Sequence, residues 1–225
     1  MSRGATNSSP GSQGGFHPSG RTEFVQPNVD GLARKLSGNP SKNGGSGSGF
    51  TQVSQRVVHE GAVVTFTVGT FRSPSGELLE RDVVKHPGAV SVVAIDGEEV
   101  VLVRQFRAAL GFDLLEIPAG KRDVPGEAPE VTAARELEEE VGLRAGSLEL
   151  LVDFYNSAGF SDEHSYVYLA TDLHAGELAL QGVEEQHMTI VRIPLEEIPA
   201  RIAAGEIIDA KTLIGLLLAL RRFGV

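Results

Sequence analysis

Apolar positions along the chain fall into short β-type runs through its first half and into helical spacing in three later windows. Val57 to Phe71, with Gly61 as a break, and Leu78 to Val84, after the turn-forming Ser73-Pro74-Ser75-Gly76, predict a small antiparallel sheet. Val90 to Ile95 and Val100 to Phe106 flank Asp96-Gly97-Glu98, a hairpin signal because such a turn needs a residue that tolerates positive φ. Leu114 to Ile117 reads as a short strand closed by Pro118 and Gly120. The helical windows are Pro129 to Val141, with Pro129 acceptable in a first turn and Gly142 placed as its stop, then Leu195 to Ala203 and Ala210 to Phe223. Strands over Leu148 to Tyr155, Ser165 to Leu169 and Met188 to Ile193 lie between them. Strands and helices in this mixed order predict an α+β fold, a layered sandwich rather than a parallel doubly wound sheet.

The first 49 residues lack this patterning. Gly, Ser and Pro supply 24 of them, ending in the run KNGGSGSG from Lys42 to Gly49, and such a composition buries too little apolar surface to offset the entropy of ordering. The expected organisation is a flexible tail over 1–49, a β-sheet element over 50–86 and the main domain over 87–225. The tail has no continuous apolar stretch of the kind a secretory signal needs. The run Leu213 to Leu220 is far too short for a bilayer and is followed by Arg221 and Arg222, so it reads as a terminal core helix and no membrane partner is expected.

Charge and composition narrow the chemistry. The net charge of −10 is uneven: five basic residues against Glu23 and Asp30 give the tail +3, which leaves −13 on the remainder. So acidic a body has no electrostatic footprint for nucleic acid, and it handles an anionic substrate only with a divalent cation between them. The absence of cysteine excludes a disulfide framework, a thiol nucleophile and a cysteine zinc site, and with the missing export signals it predicts a cytoplasmic protein. The six histidines show no close paired spacing, so a histidine metal site is not expected either.

In the window Arg135 to Leu143, a helical advance of about 100° per residue places Glu136 and Glu140 roughly 40° apart, with Glu139 about 60° to the other side. Three carboxylates share a face. Ala134, Leu137 and Val141 are expected to form the buried stripe opposite it, with Glu138 pointing elsewhere into solvent. Carboxylates stacked at successive turns repel, and an oxygen-only set suits Mg²⁺ or Mn²⁺, which recruit substrate phosphates as further ligands. Taken alone, such a run is most often only a solvated surface.

Its surroundings overturn that reading. Gly120, then Glu127, then Arg135-Glu136-Leu137-x-Glu139-Glu140-x-Gly142-Leu143 resembles the Nudix box, with the loop from Gly120 to Glu127 one residue longer than usual. Val103 to Arg107, Glu116 to Gly120, Ser157 to Glu163 and Glu184-Glu185 extend the resemblance to the ADP-ribose pyrophosphatase branch of Nudix hydrolases over nearly all of 50–225. The resemblance implies the Nudix fold, an α/β/α sandwich with a small N-terminal antiparallel sheet. It implies Mg²⁺-dependent hydrolysis of the diphosphate of ADP-ribose to AMP and ribose 5-phosphate, with Mn²⁺ as a substitute ion. Ala158 stands where ADP-ribose hydrolases of the family usually carry proline, which keeps another nucleoside diphosphate sugar such as GDP-mannose as the alternative. A noncatalytic nucleotide-binding Nudix module is a more distant one, because such modules commonly lose the carboxylates retained here.

Residue by residue, the resemblance implies Glu136 and Glu140 as metal ligands, Glu139 as a further ligand counted with the catalytic groups, and the backbone carbonyl of Ala119 completing the set. Glu127 is expected to pair with Arg135, and Gly120 and Gly142 to give structural support. The stretch Gly182 to Met188 matches the loop that supplies a general base, with Glu185 first and Glu184 second. Arg81 and Arg107 match substrate-contacting positions, and Glu116 and Glu163 match the terminal-ribose region or the nearby cleft wall. The branch also implies a homodimer in which the N-terminal sheet of one subunit covers the site of the other.

Overall fold

The computed structural model describes residues 48–225. The tail expected over 1–49 therefore lies outside the described residues, apart from Ser48 and Gly49. Three strands, β1 (Thr51–Glu60), β2 (Thr65–Arg72) and β3 (Leu78–Lys85), form an antiparallel sheet in the order β1-β2-β3. The main sheet takes β4 (Ala89–Asp96), β5 (Glu99–Arg107), β6 (Phe112–Glu116), β7 (Ala119–Lys121), β8 (Leu143–Tyr155), β9 (His164–Ala175) and β10 (Thr189–Pro194). Its order is β10-β5-β4-β9-β8, with β6 added to β5 and β7 to β4. Of the strand pairs, β4 with β9 is parallel and the others are antiparallel.

Strand alternation divides the core into two layers. Val90, Val92 and Ala94 of β4 pack with Val101 and Val103 of β5 beneath helix α1 (Pro129–Val141). Val93 and Ile95 face the other way, with Leu102, Ile117 and Val167, under α3 (Ile198–Ala203) and α4 (Ala210–Phe223). Helices on both faces of a mixed sheet make the α+β sandwich expected. At Gly215 in α4 a Cβ would lie 2.8 Å from Val93 Cγ2, so glycine is what lets this helix settle onto the sheet. Among the described residues no helix is long and apolar enough to cross a membrane.

Several local expectations need correction. Pro118 and Gly120 do not merely close a strand; Ala119–Lys121 form β7, paired with Ala89–Ser91. Strand β8 starts at Leu143, directly after the left-handed cap Gly142 (φ 66°), and not at Leu148. The window 195–203 opens as a 3-10 turn over Leu195–Glu197 before α3. A four-residue helix α2 (Val183–Gln186), too short to carry a periodicity, lies in the acidic loop. On α1 the buried stripe uses Ala133, with Leu137 and Val141, while Ala134 is exposed. The acidic face flanks this stripe and does not oppose it. Glu140 stands only about 60° from Leu137 on the helical wheel, and its side chain turns inward. Glu138, expected to be merely solvated, accepts from Arg144 Nε at 2.8 Å and from the Glu177 amide at 3.0 Å.

Candidate active site

The site is assembled where β7 passes beneath α1. Gly120 lies against Glu136 so closely that a Cβ there would be 1.9 Å from the Glu136 carboxyl carbon. Any side chain at that position would displace the Glu136 carboxylate. One step earlier, the Ala119 amide donates to Glu140 Oε2 at 2.9 Å. Glu140 is 3% exposed, and its carboxyl is pushed up to about 8 by burial, reinforced by the charges of Glu136 and Glu185 and opposed by the Ala119 amide and Arg107. Burial likewise pushes Glu136 up to about 7 against the pull of Arg135, with Glu139 and Asp123 adding repulsion.

Arg135 gathers the acids on the outer side. Its Nη1 contacts Glu136 Oε1 and Glu139 Oε2, each at 2.9 Å, and its Nη2 contacts Glu127 Oε2 at 3.3 Å. Burial works against the guanidinium charge, but these carboxylates outweigh it and raise the Arg135 pKa. Glu127 also accepts from Thr132 Oγ1 at 2.8 Å, and this bond, then Arg135, holds its carboxyl below the ordinary value. The loop from Gly120 to Glu127 is thereby tied to the first turns of α1, extra residue included.

Beyond the helix, Glu139 anchors the acidic loop: its side chain accepts from Gln181 Nε2 at 2.9 Å and its carbonyl from the Ala179 amide at 2.9 Å. Glu185 Oε2 accepts from the Gln181 amide at 2.7 Å, and its charge reaches Glu140. Glu184 is exposed to solvent. The structure therefore brings Glu136, Glu139, Glu140 and Glu185 into one region. Each faces a partner from the protein, and among the described residues no three acids or histidines converge on a single point.

Arg107 reaches the same region from β5. Its Nε and Nη2 fork onto Glu116 Oε1 and Oε2 at 2.7 and 2.6 Å, and its charge acts on Glu140. Glu116 is fully buried; burial pushes its carboxyl up, but Arg107 and Lys211 outweigh that and hold it below the ordinary range. Sequence reasoning missed Lys211, since its partner Glu116 is 95 residues away and nothing near Lys211 in the chain announces the contact. Arg81 sits apart from this group. Its guanidinium donates to the Glu80 carbonyl at 2.7 Å, and with Arg56, Val68, Asp82, Gly159 and Phe160 it lines a cleft of about 360 Å³ that no box residue lines. Phe160 is the aromatic there, a residue the sequence had not singled out. Glu163 is half-buried at the entry to β9, its amide donating to Ser161 Oγ at 3.2 Å.

With this geometry in hand, the sequence profile of the NUDIX domain matches residues 85–213. The ADP-ribose pyrophosphatase of Mycobacterium tuberculosis is 41% identical over 169 residues, spanning 75% of this chain and 82% of that protein. The ADP-ribose pyrophosphatase of Bacillus subtilis is 38% identical over 161 residues, spanning 71% and 86%. The crystal structure of an ADP compounds hydrolase superimposes with a TM-score of 0.69 at 23% identity, covering 80% of this chain and 98% of that one, a likeness of fold.

Proposed function

The chain belongs to the NUDIX family, and from that premise we propose that it is a divalent-metal-dependent pyrophosphohydrolase that splits ADP-ribose into AMP and ribose 5-phosphate. The observation that carries this reading is the pair of carboxylates held against Ala119 and Gly120, buried Glu140 and half-buried Glu136, both pushed up by burial and by neighbouring acids. A hard cation fits that donor set. The ligands are oxygens only; Arg135 pairs with Glu136 and Glu139, while Glu140 has no ion pair with a lysine or arginine among the described residues. Glu136, Glu139, Glu140 and the Ala119 carbonyl are the groups that would hold Mg²⁺, or Mn²⁺ in its place. Bound there, the ion supplies charge neutralisation on the phosphate oxygens and acidifies a water.

The protein's own residues have separate tasks in this reading. Arg107, braced by Glu116, grips a non-bridging phosphate oxygen. Glu185 takes the proton of the attacking water, its position beside Glu140 favouring it over the exposed Glu184. Arg135 and Glu127 keep the box loop on the helix. Arg81 and Glu163 belong to the outer part of the substrate site, with Phe160 beside Arg81 as an apolar face for the nucleoside.

The same reading includes a homodimer. Every residue of β1 is exposed, Val53, Val57 and Val58 among them, as is Phe50 just before it, and such an apolar edge strand calls for a cover that a second copy would provide. A cytoplasmic location rests on the absence of cysteine. The test of function is AMP formation from ADP-ribose with Mg²⁺ or Mn²⁺, run beside GDP-mannose, NADH and diadenosine polyphosphates. Preferred turnover of ADP-ribose supports the proposal; preferred turnover of GDP-mannose moves the substrate, and no turnover of any contradicts an enzyme.

A further inference from the structure

Helix α4 presents its first turn to the back of Glu116. Asp209 caps the helix by accepting from the Thr212 amide at 3.0 Å and from Thr212 Oγ1 at 2.6 Å, and Thr212 Oγ1 in turn accepts from the Ile117 amide at 3.0 Å. Lys211, between them in sequence, places Nζ on Glu116 Oε2 and 2.9 Å from Asp209 Oδ2. Arg107, Lys211, Glu116 and Asp209 thus form a closed group of two cations and two anions. Glu116 at its centre is 0% exposed and Lys211 only 14%, while Arg107 is 37% exposed. The solvent-accessible member is the one whose charge acts on Glu140. Its Nε and Nη2 are taken by Glu116, and among the described residues Nη1 has no hydrogen-bond partner.

We propose that Lys211 is a positioning residue for substrate binding: held by Asp209, it fixes Glu116 so that the Arg107 guanidinium is locked with Nη1 presented to the substrate's diphosphate. A lysine some hundred residues away in sequence then determines phosphate affinity without touching the substrate. Without Lys211, Glu116 has a single cationic partner, and Arg107 is no longer held in one orientation. This inference rests on the proposed function, whose substrate supplies the diphosphate.

Binding of the hydrolysis-resistant α,β-methylene analogue of ADP-ribose, measured calorimetrically in a double-mutant cycle of Lys211→Met and Arg107→Ala, tests it. Lys211→Met is expected to raise the Kd about tenfold, the loss of one well-aligned charge-assisted hydrogen bond, and Lys211→Arg to restore most of the affinity. In the Arg107→Ala background Lys211→Met should have no further effect on binding. A merely structural lysine would lower the melting temperature and leave the cycle additive. Should Lys211→Met fail to fold, Lys211→Gln, which keeps a donor and removes the charge, replaces it in the same cycle. An equal weakening with and without Arg107 overturns the proposal, because Lys211 would then act by itself. Wild-type binding with an unmoved Lys211→Met contradicts the positioning role alone. A wild-type protein that neither binds the analogue nor cleaves ADP-ribose contradicts the proposed function, and this inference with it.

Discussion

Glu116, at the end of β6, and Glu140, bonded to the Ala119 amide three residues further on, are both sealed from water, at 0% and 3% exposure. Their surroundings differ in one respect. Glu116 has two cations at contact, Arg107 and Lys211, and its carboxyl is held ionised below the ordinary range. Glu140 has a backbone amide at contact and two acidic neighbours, with the charge of Arg107 acting only from beyond contact, and burial pushes it up to about 8. Burial is the same; the supply of positive charge is not. Glu116 is neutralised by the protein's own cations, whereas Glu140 has no cationic side chain at contact, and this difference is the physical support for the proposed metal-dependent role of the second.

Replacing each glutamate by its neutral isostere should therefore separate activity from stability. Glu140→Gln retains an acceptor for the Ala119 amide and loses the charge needed at the metal, so metal-dependent ADP-ribose cleavage should fall by about a thousandfold or more with an unchanged melting temperature. Steady-state assay beside calorimetry checks both halves, and near-normal turnover would remove Glu140 from the chemistry. Glu116→Gln should have the reverse emphasis. It breaks a buried network and costs about 3 kcal/mol of stability, measured by urea unfolding at neutral pH. The sign of its pH dependence follows from linkage. The folded-state pKa of Glu116 is lowered, so its contribution is present above the unfolded carboxylate pKa and is lost as pH falls through the folded value. The stability gap between wild type and Glu116→Gln should accordingly narrow in acid, and a gap that widens would contradict the network. The smallest effect is expected at Gly142, where φ is 66°: alanine there should cost about 1 kcal/mol in the same unfolding measurement and leave turnover nearly unchanged.

The two sites also differ in how far they could be read from the chain. The box acids are local. Their spacing along one helix, the Gly142 stop and the register with Gly120 and Glu127 are all contained within Gly120 to Leu143, and the layered α+β fold follows from the alternation of strand residues. What escaped was set by tertiary contacts. Ala133 replaces Ala134 in the buried stripe because the helix is rotated to admit Glu140 at the edge of the core. β7 is three residues long and exists through its pairing with β4, and α2 is a single turn held by Gln181 and Glu185. Lys211 lies 95 residues from the glutamate it neutralises. No periodicity encodes such a contact, because it depends on where α4 docks and not on the sequence around it.

Whether the α1 acids together bind a divalent ion is decided most directly by titrating Mn²⁺ into the protein and following the free ion by electron paramagnetic resonance, for wild type and for Glu136→Gln/Glu140→Gln, with Glu116→Gln as the control where it remains folded. Wild type and the control should remove Mn²⁺ from solution while the double variant, folded by circular dichroism, does not. Equal Mn²⁺ binding by wild type and the double variant would contradict the assignment.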